Sequence, residues 1–205
     1  RGRMLRFTPV LLAMVWALVA DAGLIDEVPS SEGRQLEAGR VVVKSKDIPK
    51  APWPELSLYQ VVKAPPEVVW DLFTDYDSAA VYTPNLISAK VIAENPDGSK
   101  DVKFTVKVPI LQKISYTVQN TYTKKGKSYE VDWKLLKSPL AKSSDGSLRI
   151  EPYGKGQTLM CYTNLCVPVT NLVAGLKNEA LKEARNTVAA ITAEAEKRAP
   201  AAKPK

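Results

Sequence analysis

Three consecutive stretches of the chain, Val102 to Val108, Ile114 to Tyr122 and Tyr129 to Leu135, alternate apolar and polar residues almost without error. Successive side chains of a strand point to opposite faces, so this pattern predicts a β-meander with one dry face. On that face lie Val102, Phe104, Val106, Val108, then Ile114, Tyr116, Val118, Asn120, Tyr122, then Tyr129, Val131, Trp133 and Leu135. Lys103, Lys107, Thr117, Gln119, Glu130, Asp132 and Lys134 alternate outward, and no charged side chain of these runs points inward. A sheet that is apolar on one side must have that side covered. The sequence offers few helices for the task, so what fills the space under the cover is the functional question.

The cover itself is legible. From Asn171 to about Arg198 the pattern changes to that of a long amphipathic helix, with Val173, Leu176, Ala180, Ala184, Val188, Ile191 and Ala195 in one stripe. Lys177, Glu179, Lys182, Glu183, Arg185, Glu194 and Lys197 lie mainly off it. Asn171 suits the N-cap, and Pro200 lies beyond the end. Such a helix is roughly 40 Å long, enough to cross a sheet. Because its stripe is largely Ala and Val, it covers a concave wall without filling it.

Between these parts, Leu56 to Val62 reads as the first strand of the domain. Pro66 fits the first turn of a helix that carries Val69, Trp70 and Phe73 at helical spacing; Trp70 and Phe73 are expected in the core. A second short helix is expected over Ser78 to Tyr82, then a strand from Ile87 to Ala93 and a turn at Asn95-Pro96-Asp97-Gly98. Lys137 to Gly146 reads as a polar loop, followed by strands at Leu148 to Glu151 and Thr158 to Val167.

Composition excludes much chemistry. The chain has no histidine, which removes His-based nucleophilic triads, His-ligated zinc and imidazole acid/base catalysis. Cys161 and Cys166 are five residues apart on one strand, hence on opposite faces and about 16 Å apart, beyond disulfide reach. Cys161 reads as a small buried hydrophobe. No metal site and no cofactor are expected. Ten of the lysines fall between Lys100 and Lys142 against Asp101, Glu130 and Asp132. Lys on outward strand positions guards against edge-to-edge association and also draws a protein toward anionic head groups. Arg is scarce there and no exposed aromatics accompany the lysines, so a nucleic-acid partner is not expected.

At the start, Arg1, Arg3 and Arg6 precede an apolar run from Val10 to Ala20, and Ala20-Asp21-Ala22 matches a signal-peptidase site. The expectation is a signal peptide over residues 1–22 and an exported domain in the bacterial periplasm. An uncleaved signal would leave the domain tethered to the membrane. Residues 23–52 read as a linker with an accessory strand at Arg40 to Lys44, residues 53–198 as the domain, and residues 199–205 as a disordered basic tail.

The order of strand, two short helices, long meander and terminal helix, with Ala64-Pro65-Pro66-Glu67-Val68-Val69-Trp70, Asp75-Tyr76-Asp77, Asp145-Gly146-Ser147-Leu148-Arg149-Ile150-Glu151-Pro152 and Pro168, resembles the START-like superfamily. The likeness covers about residues 53 to 198. It implies an α+β helix-grip fold, in which a curved antiparallel sheet, two short helices and a long C-terminal helix enclose a hydrophobic cavity. Members include lipid-transfer proteins and polyketide cyclase/dehydrase-like proteins.

The expected role is therefore a non-enzymatic carrier, transfer protein or sensor of a hydrophobic, lipid-like molecule. Tyr116, Asn120, Tyr122, Tyr129 and Thr163 are the expected polar handles, and Phe104, Val106, Val118 and Trp133 the apolar wall, faced by Val173 and Leu176 of the helix. A gate or membrane contact is read at Pro109, Ile110 and Leu111, bordered by Lys107 and Lys113, a tip that either dips into a membrane surface or is sheltered by the terminal helix. The alternative is a cyclase, aromatase or dehydratase acting on a hydrophobic substrate in the same cavity. No catalytic residue is assigned, because the inward set offers only tyrosines and one cysteine, whose ordinary pKa values lie well above neutrality.

Overall fold

The computed structural model describes residues 23–108, 112–170 and 175–200. A 3-10 turn at Leu24–Glu27 leads to α1 (Ser30–Glu37) and to strands β1 (Val42–Lys46) and β2 (Glu55–Val62). Two short helices follow, α2 (Pro66–Thr74) and α3 (Ala79–Tyr82). Six further strands come next: β3 (Leu86–Glu94), β4 (Lys100–Val108), β5 (Gln112–Lys125), β6 (Ser128–Lys137), β7 (Ala141–Tyr153) and β8 (Gln157–Pro168). The terminal helix is α4 (Lys177–Arg198). All eight strands form one curved antiparallel sheet in the order β1-β2-β8-β7-β6-β5-β4-β3. This is the helix-grip arrangement expected from the sequence.

The alternating runs pair in register, with Val102 opposite Val118, Phe104 opposite Tyr116, and Tyr122 opposite Val131. Each pair puts two apolar side chains on one face, so a one-residue slip would expose both sets. The Asn95 to Gly98 turn closes through a hydrogen bond from the Gly98 amide to the Asn95 carbonyl, with Gly98 at φ 84°. Pro66 sits in the first turn of α2, where its missing N–H costs nothing.

The main core gathers at one end of the sheet. Leu58, Val62, Val69, Leu72, Leu148, Ile150 and Met160 pack with Val188, Ile191 and Ala195 of α4, and Tyr129 joins them beneath Trp70, whose ring is stacked 5.1 Å away. Full burial of a side chain such as Leu or Ile is worth about 1.5–3 kcal/mol, so this cluster fixes the C-terminal half of α4 firmly. Helix α4 leans on α2, β2 and α3. Its C-terminal half is also tied by Glu196, which accepts from the Lys63 amide at 2.9 Å, and by Arg198, which donates to Glu194 at 2.8 Å and lies 3.9 Å from Asp75.

Two departures from the sequence reading are instructive. The stretch expected as a polar loop at Lys137 to Gly146 is mostly strand, since β7 begins at Ala141 and only residues 138–140 connect β6 to β7. Its Ser residues join a β-strand because β8 supplies partners, Val167 opposite Ser143 and Cys166 opposite Ser144, and β6 adds a second ladder from Asp145 onward, opposite Lys134. Helix α4 is described from Lys177, capped by Leu176, while Asn171 lies outside the described residues.

The segment expected to act as linker with an accessory strand carries the 3-10 turn, α1 and β1. Leu24, Val28 and Leu36 cover the outer face of the sheet, where they bury Val42, Tyr59, Val61, Leu159 and Cys161. Glu27 fastens this cover. Its carboxylate accepts from the Arg149 guanidinium at 2.6 and 2.8 Å and from the Tyr59 hydroxyl at 2.7 Å. These hydrogen bonds, the one from Arg149 foremost, hold the Glu27 carboxyl below its usual value of 4.5 against the opposing effect of burial. Tyr59 is pushed upward by burial and by the same carboxylate.

A carboxyl with a depressed native pKa stabilises the fold fully above its unfolded value and loses that contribution as the pH falls through the native one. At neutral pH, Glu27→Gln is expected to cost about 1 kcal/mol, given a pair that is partly open to water. Urea titrations at pH 7 and pH 3 should show the gap between wild type and Glu27→Gln closing in acid; a gap independent of pH would contradict this role.

Candidate functional site: the concave wall beneath α4

Helix α4 is held unevenly. Val188, Ile191 and Ala195 in its C-terminal half are 0%, 2% and 0% exposed, whereas Leu176, Ala180 and Ala184 at the other end are only half-buried. On the concave face of the sheet, a set of inward side chains is neither fully buried nor exposed: Phe104, Val106, Ile114, Tyr116, Trp133, Leu135, Ser144, Tyr162, Asn164 and Cys166. A crevice of about 40 Å³ opens between Trp53, Pro54, Leu56, Asn164 and Cys166 on one side and Lys177, Ala180 and Ala184 on the other. Farther along β8, a broader open depression of about 450 Å³ is bordered by Lys50, Pro52, Lys142, Val167 and Pro168.

Trp133 is the centre of the wall. Its indole N–H donates to the Asn164 side-chain oxygen at 3.3 Å, which also accepts from the Ser144 hydroxyl at 3.0 Å. Tyr162 lies 5.1 Å from the Trp133 ring and Phe73 lies 6.4 Å from it. Trp133 faces Gly146 across the β6–β7 ladder. A Cβ at Gly146 would collide with the indole and with the Thr163 carbonyl, so glycine here lets the large ring lie flat on the strand.

Farther along the wall, Phe104 and Tyr116 stack at 5.4 Å, and Phe104 meets the Tyr76 ring edge-on at 6.2 Å. Tyr76 anchors the α2–α3 connection to the sheet. Its hydroxyl receives a hydrogen bond from the Asn120 amide at 2.7 Å and shares another with the Tyr122 hydroxyl at 2.6 Å.

The structure separates the sequence-derived site residues into groups. Phe104, Val106, Tyr116 and Trp133 line the wall, with Leu176 at the start of α4. Val118 and Asn120 are on the expected face but buried, at 6% and 4% exposure, and the Asn120 amide is committed to Tyr76. Tyr122 shares that commitment. Tyr129 faces inward but packs into the main core under Trp70 instead of the wall. Val173 and the expected gate at Pro109, Ile110 and Leu111 lie outside the described residues.

Thr163 requires correction. It lies on the outer face, its hydroxyl 3.1 Å from that of Ser57 and 3.5 Å from the Cys161 sulfur. The inward residues of β8 are instead Met160, Tyr162, Asn164 and Cys166, which pair through the ladder with Ile150, Leu148, Gly146 and Ser144. The misassignment arises because β8 is covered on both faces, by α4 on one and by the 3-10 turn and α1 on the other. Alternation then marks two faces without saying which is concave. The signal that distinguishes them is Gly146, a glycine inside a strand that implies a large neighbour on the inner side.

The titratable groups on the wall are all held neutral. Burial pushes the Tyr116 phenol up to about 12, raises Tyr162 further with help from the nearby Tyr116 and Cys166, and lifts the Cys166 thiol to about 11. Such groups donate hydrogen bonds at neutral pH but are poorly matched to proton shuttling there. Both cysteines are free thiols, and among the described residues no group of three or more His, Cys, Asp or Glu is placed to hold a metal ion.

A strongly curved antiparallel sheet gripped by a terminal helix, with an aromatic wall between them, has relatives. The sequence profile of the polyketide cyclase/dehydrase and lipid transport family matches residues 55–198. The chain belongs to that family. Among solved structures, it is similar to a STAR-related lipid transfer protein from Xanthomonas axonopodis, with a TM-score of 0.66 at 12% identity over 76% of this chain and 93% of that one. It is also similar to the Zhui aromatase/cyclase from a Streptomyces species, with a TM-score of 0.59 at 23% identity over 74% and 98%. For human StAR-related lipid transfer protein 5 the TM-score is 0.60 at 11% identity over 82% and 91%. At these identities the likeness establishes the shared fold. No curated protein matches the sequence. The family match begins at the first residue of β2, so the 3-10 turn, α1 and β1 lie before it.

Proposed function

We propose that this protein is an exported carrier or transfer protein for a hydrophobic, lipid-like small molecule held between the sheet and α4. The observation that supports this reading is the row of partly exposed apolar side chains on the concave face, Phe104, Val106, Ile114, Trp133 and Leu135, on a sheet whose covering helix offers only half-buried Leu176, Ala180 and Ala184 at its N-terminal end. Apolar side chains left without close-packed partners lose contact energy that a guest restores. The crevice of about 40 Å³ holds little more than water, so a guest the size of a lipid lifts the N-terminal half of α4 as it enters. That movement costs little burial, because the large anchoring residues of α4 are all at its other end.

The polyketide cyclase/dehydrase and lipid transport family and the solved lipid transfer proteins support the same class of guest. A cyclase-type catalyst in this space would have to work with phenols and a thiol held neutral, which favours the carrier over the enzyme. The proposed export to a bacterial envelope is supported by the Arg-flanked apolar run from Val10 to Ala20 and the Ala20-Asp21-Ala22 cleavage pattern. Pro109, Ile110 and Leu111, between Lys107 and Lys113, are the proposed point of membrane contact during loading.

An apolar fluorophore such as 1-N-phenylnaphthylamine should bind the purified protein with enhanced emission, and Trp133→Ala should weaken it about tenfold by removing the central ring of the wall. Val81→Ser, on the exposed side of α3, should leave binding unchanged. Equal binding by Trp133→Ala and wild type would count against this wall as the site. Export is read from the intact mass of protein recovered from the periplasm of its host, which should lack residues 1–22; a mass retaining them would refute cleavage.

A further inference from the structure

Four tyrosines satisfy their hydroxyls within the protein. Tyr59 donates to Glu27, Tyr82 donates to the Leu72 carbonyl, and Tyr76 and Tyr122 bond each other. Tyr116 and Tyr162 differ. Each ring is fixed on its apolar side, Tyr116 by Phe104 at 5.4 Å and Tyr162 by Trp133 at 5.1 Å, yet neither phenol oxygen has a hydrogen-bond partner among the described residues. Neither oxygen is sealed from water, since among the described residues the side-chain atom that is both buried and unpaired is a Glu32 carboxylate oxygen, so each hydroxyl is open to a guest.

The third polar group on this wall has a defined polarity. The Asn164 side-chain oxygen is saturated by Trp133 and Ser144, so its NH₂ is the end left to act outward. Tyr116, Tyr162 and Asn164 therefore each keep a donor free for a guest on the concave face of the sheet. The wall around them, formed by Phe104, Trp133, Leu135 and Cys166, carries no charge. The nearest cation bordering the crevice is Lys177, exposed at its mouth.

We propose that Tyr116, Tyr162 and the Asn164 amide form a head-group subsite for an uncharged hydrogen-bond acceptor, so that the guest is a long-chain molecule bearing a ketone or ester carbonyl and enters carbonyl-first. A carboxylate or phosphate in the same place would be desolvated without a counter-charge. Both phenols stay protonated well above neutral pH because burial disfavours their charged forms, so they act as donors throughout the physiological range.

This inference rests on the carrier reading and refines it by naming the polar group of the guest. The test uses the full chain and a matched set of probes, namely an alkane, a methyl ketone and a fatty carboxylate of equal chain length, each displacing 1-N-phenylnaphthylamine. The ketone should bind about tenfold more tightly than either of the others, the gain expected from two net hydrogen bonds. In the double variant Tyr116→Phe with Tyr162→Phe the ketone should fall to the affinity of the alkane, while alkane binding stays unchanged and so reports an intact fold. The single variants should each lose about threefold for the ketone alone. Tighter binding of the carboxylate, which Lys177 at the mouth would favour, overturns the proposal, as does a ketone preference that survives in the double variant. Displacement by none of the three overturns the carrier reading and this inference with it. Displacement by all three equally leaves the carrier standing and removes the subsite.

Discussion

The uneven grip of α4 is the constraint from which the rest follows. One half of the helix inserts Val188, Ile191 and Ala195 into the core built by β2, β7, β8 and α2, and polar ties from Glu196 and Arg198 hold that end in place. The other half carries Ala180 and Ala184, which border a narrow crevice with Trp53, Leu56 and Cys166 on its far side. Small side chains opposite large ones on a curved sheet do not reach native packing density across the whole interface. The helix is thus deeply buried at one end and only partly buried at the other.

The sheet tolerates this arrangement because its outer face has a cover of its own. Leu24, Val28 and Leu36 bury the back of β2 and β8, and Glu27 locks that cover to Arg149 and Tyr59. Of the strands that carry the wall, β8 is therefore packed from behind. Gly146 makes the same point from the inner side, since a single missing Cβ lets Trp133 lie against β7 and places its indole N–H within reach of Asn164.

How far this was legible from the residues depended on how many faces of each strand are covered. Strands β4, β5 and β6 have a wet outer side, so alternation named their inward residues correctly, Phe104, Tyr116 and Trp133 among them. Strand β8 is dry on both sides over Thr158 to Cys161, and the same reasoning put Thr163 on the wrong face while missing Tyr162 and Asn164. The beginning of β7 reads as a loop because its Ser and Lys residues carry no strand signal, and only pairing with β8 makes it a strand. Side-chain commitment was also invisible. Asn120 looked like a handle for a guest, and the sequence holds no sign that Tyr76, far away in the chain, takes up its amide.

The central claim is that an oily molecule, in place of the protein's own side chains, completes the interior beneath the loose half of α4. The most direct measurement is native mass spectrometry of protein purified from its own host without detergent, followed by denaturation and extraction. The account predicts a mass excess of one small apolar compound per chain that disappears on unfolding and is recovered in the organic phase. A bare polypeptide mass, with no uptake when the protein is incubated with a total lipid extract of that host, would contradict it.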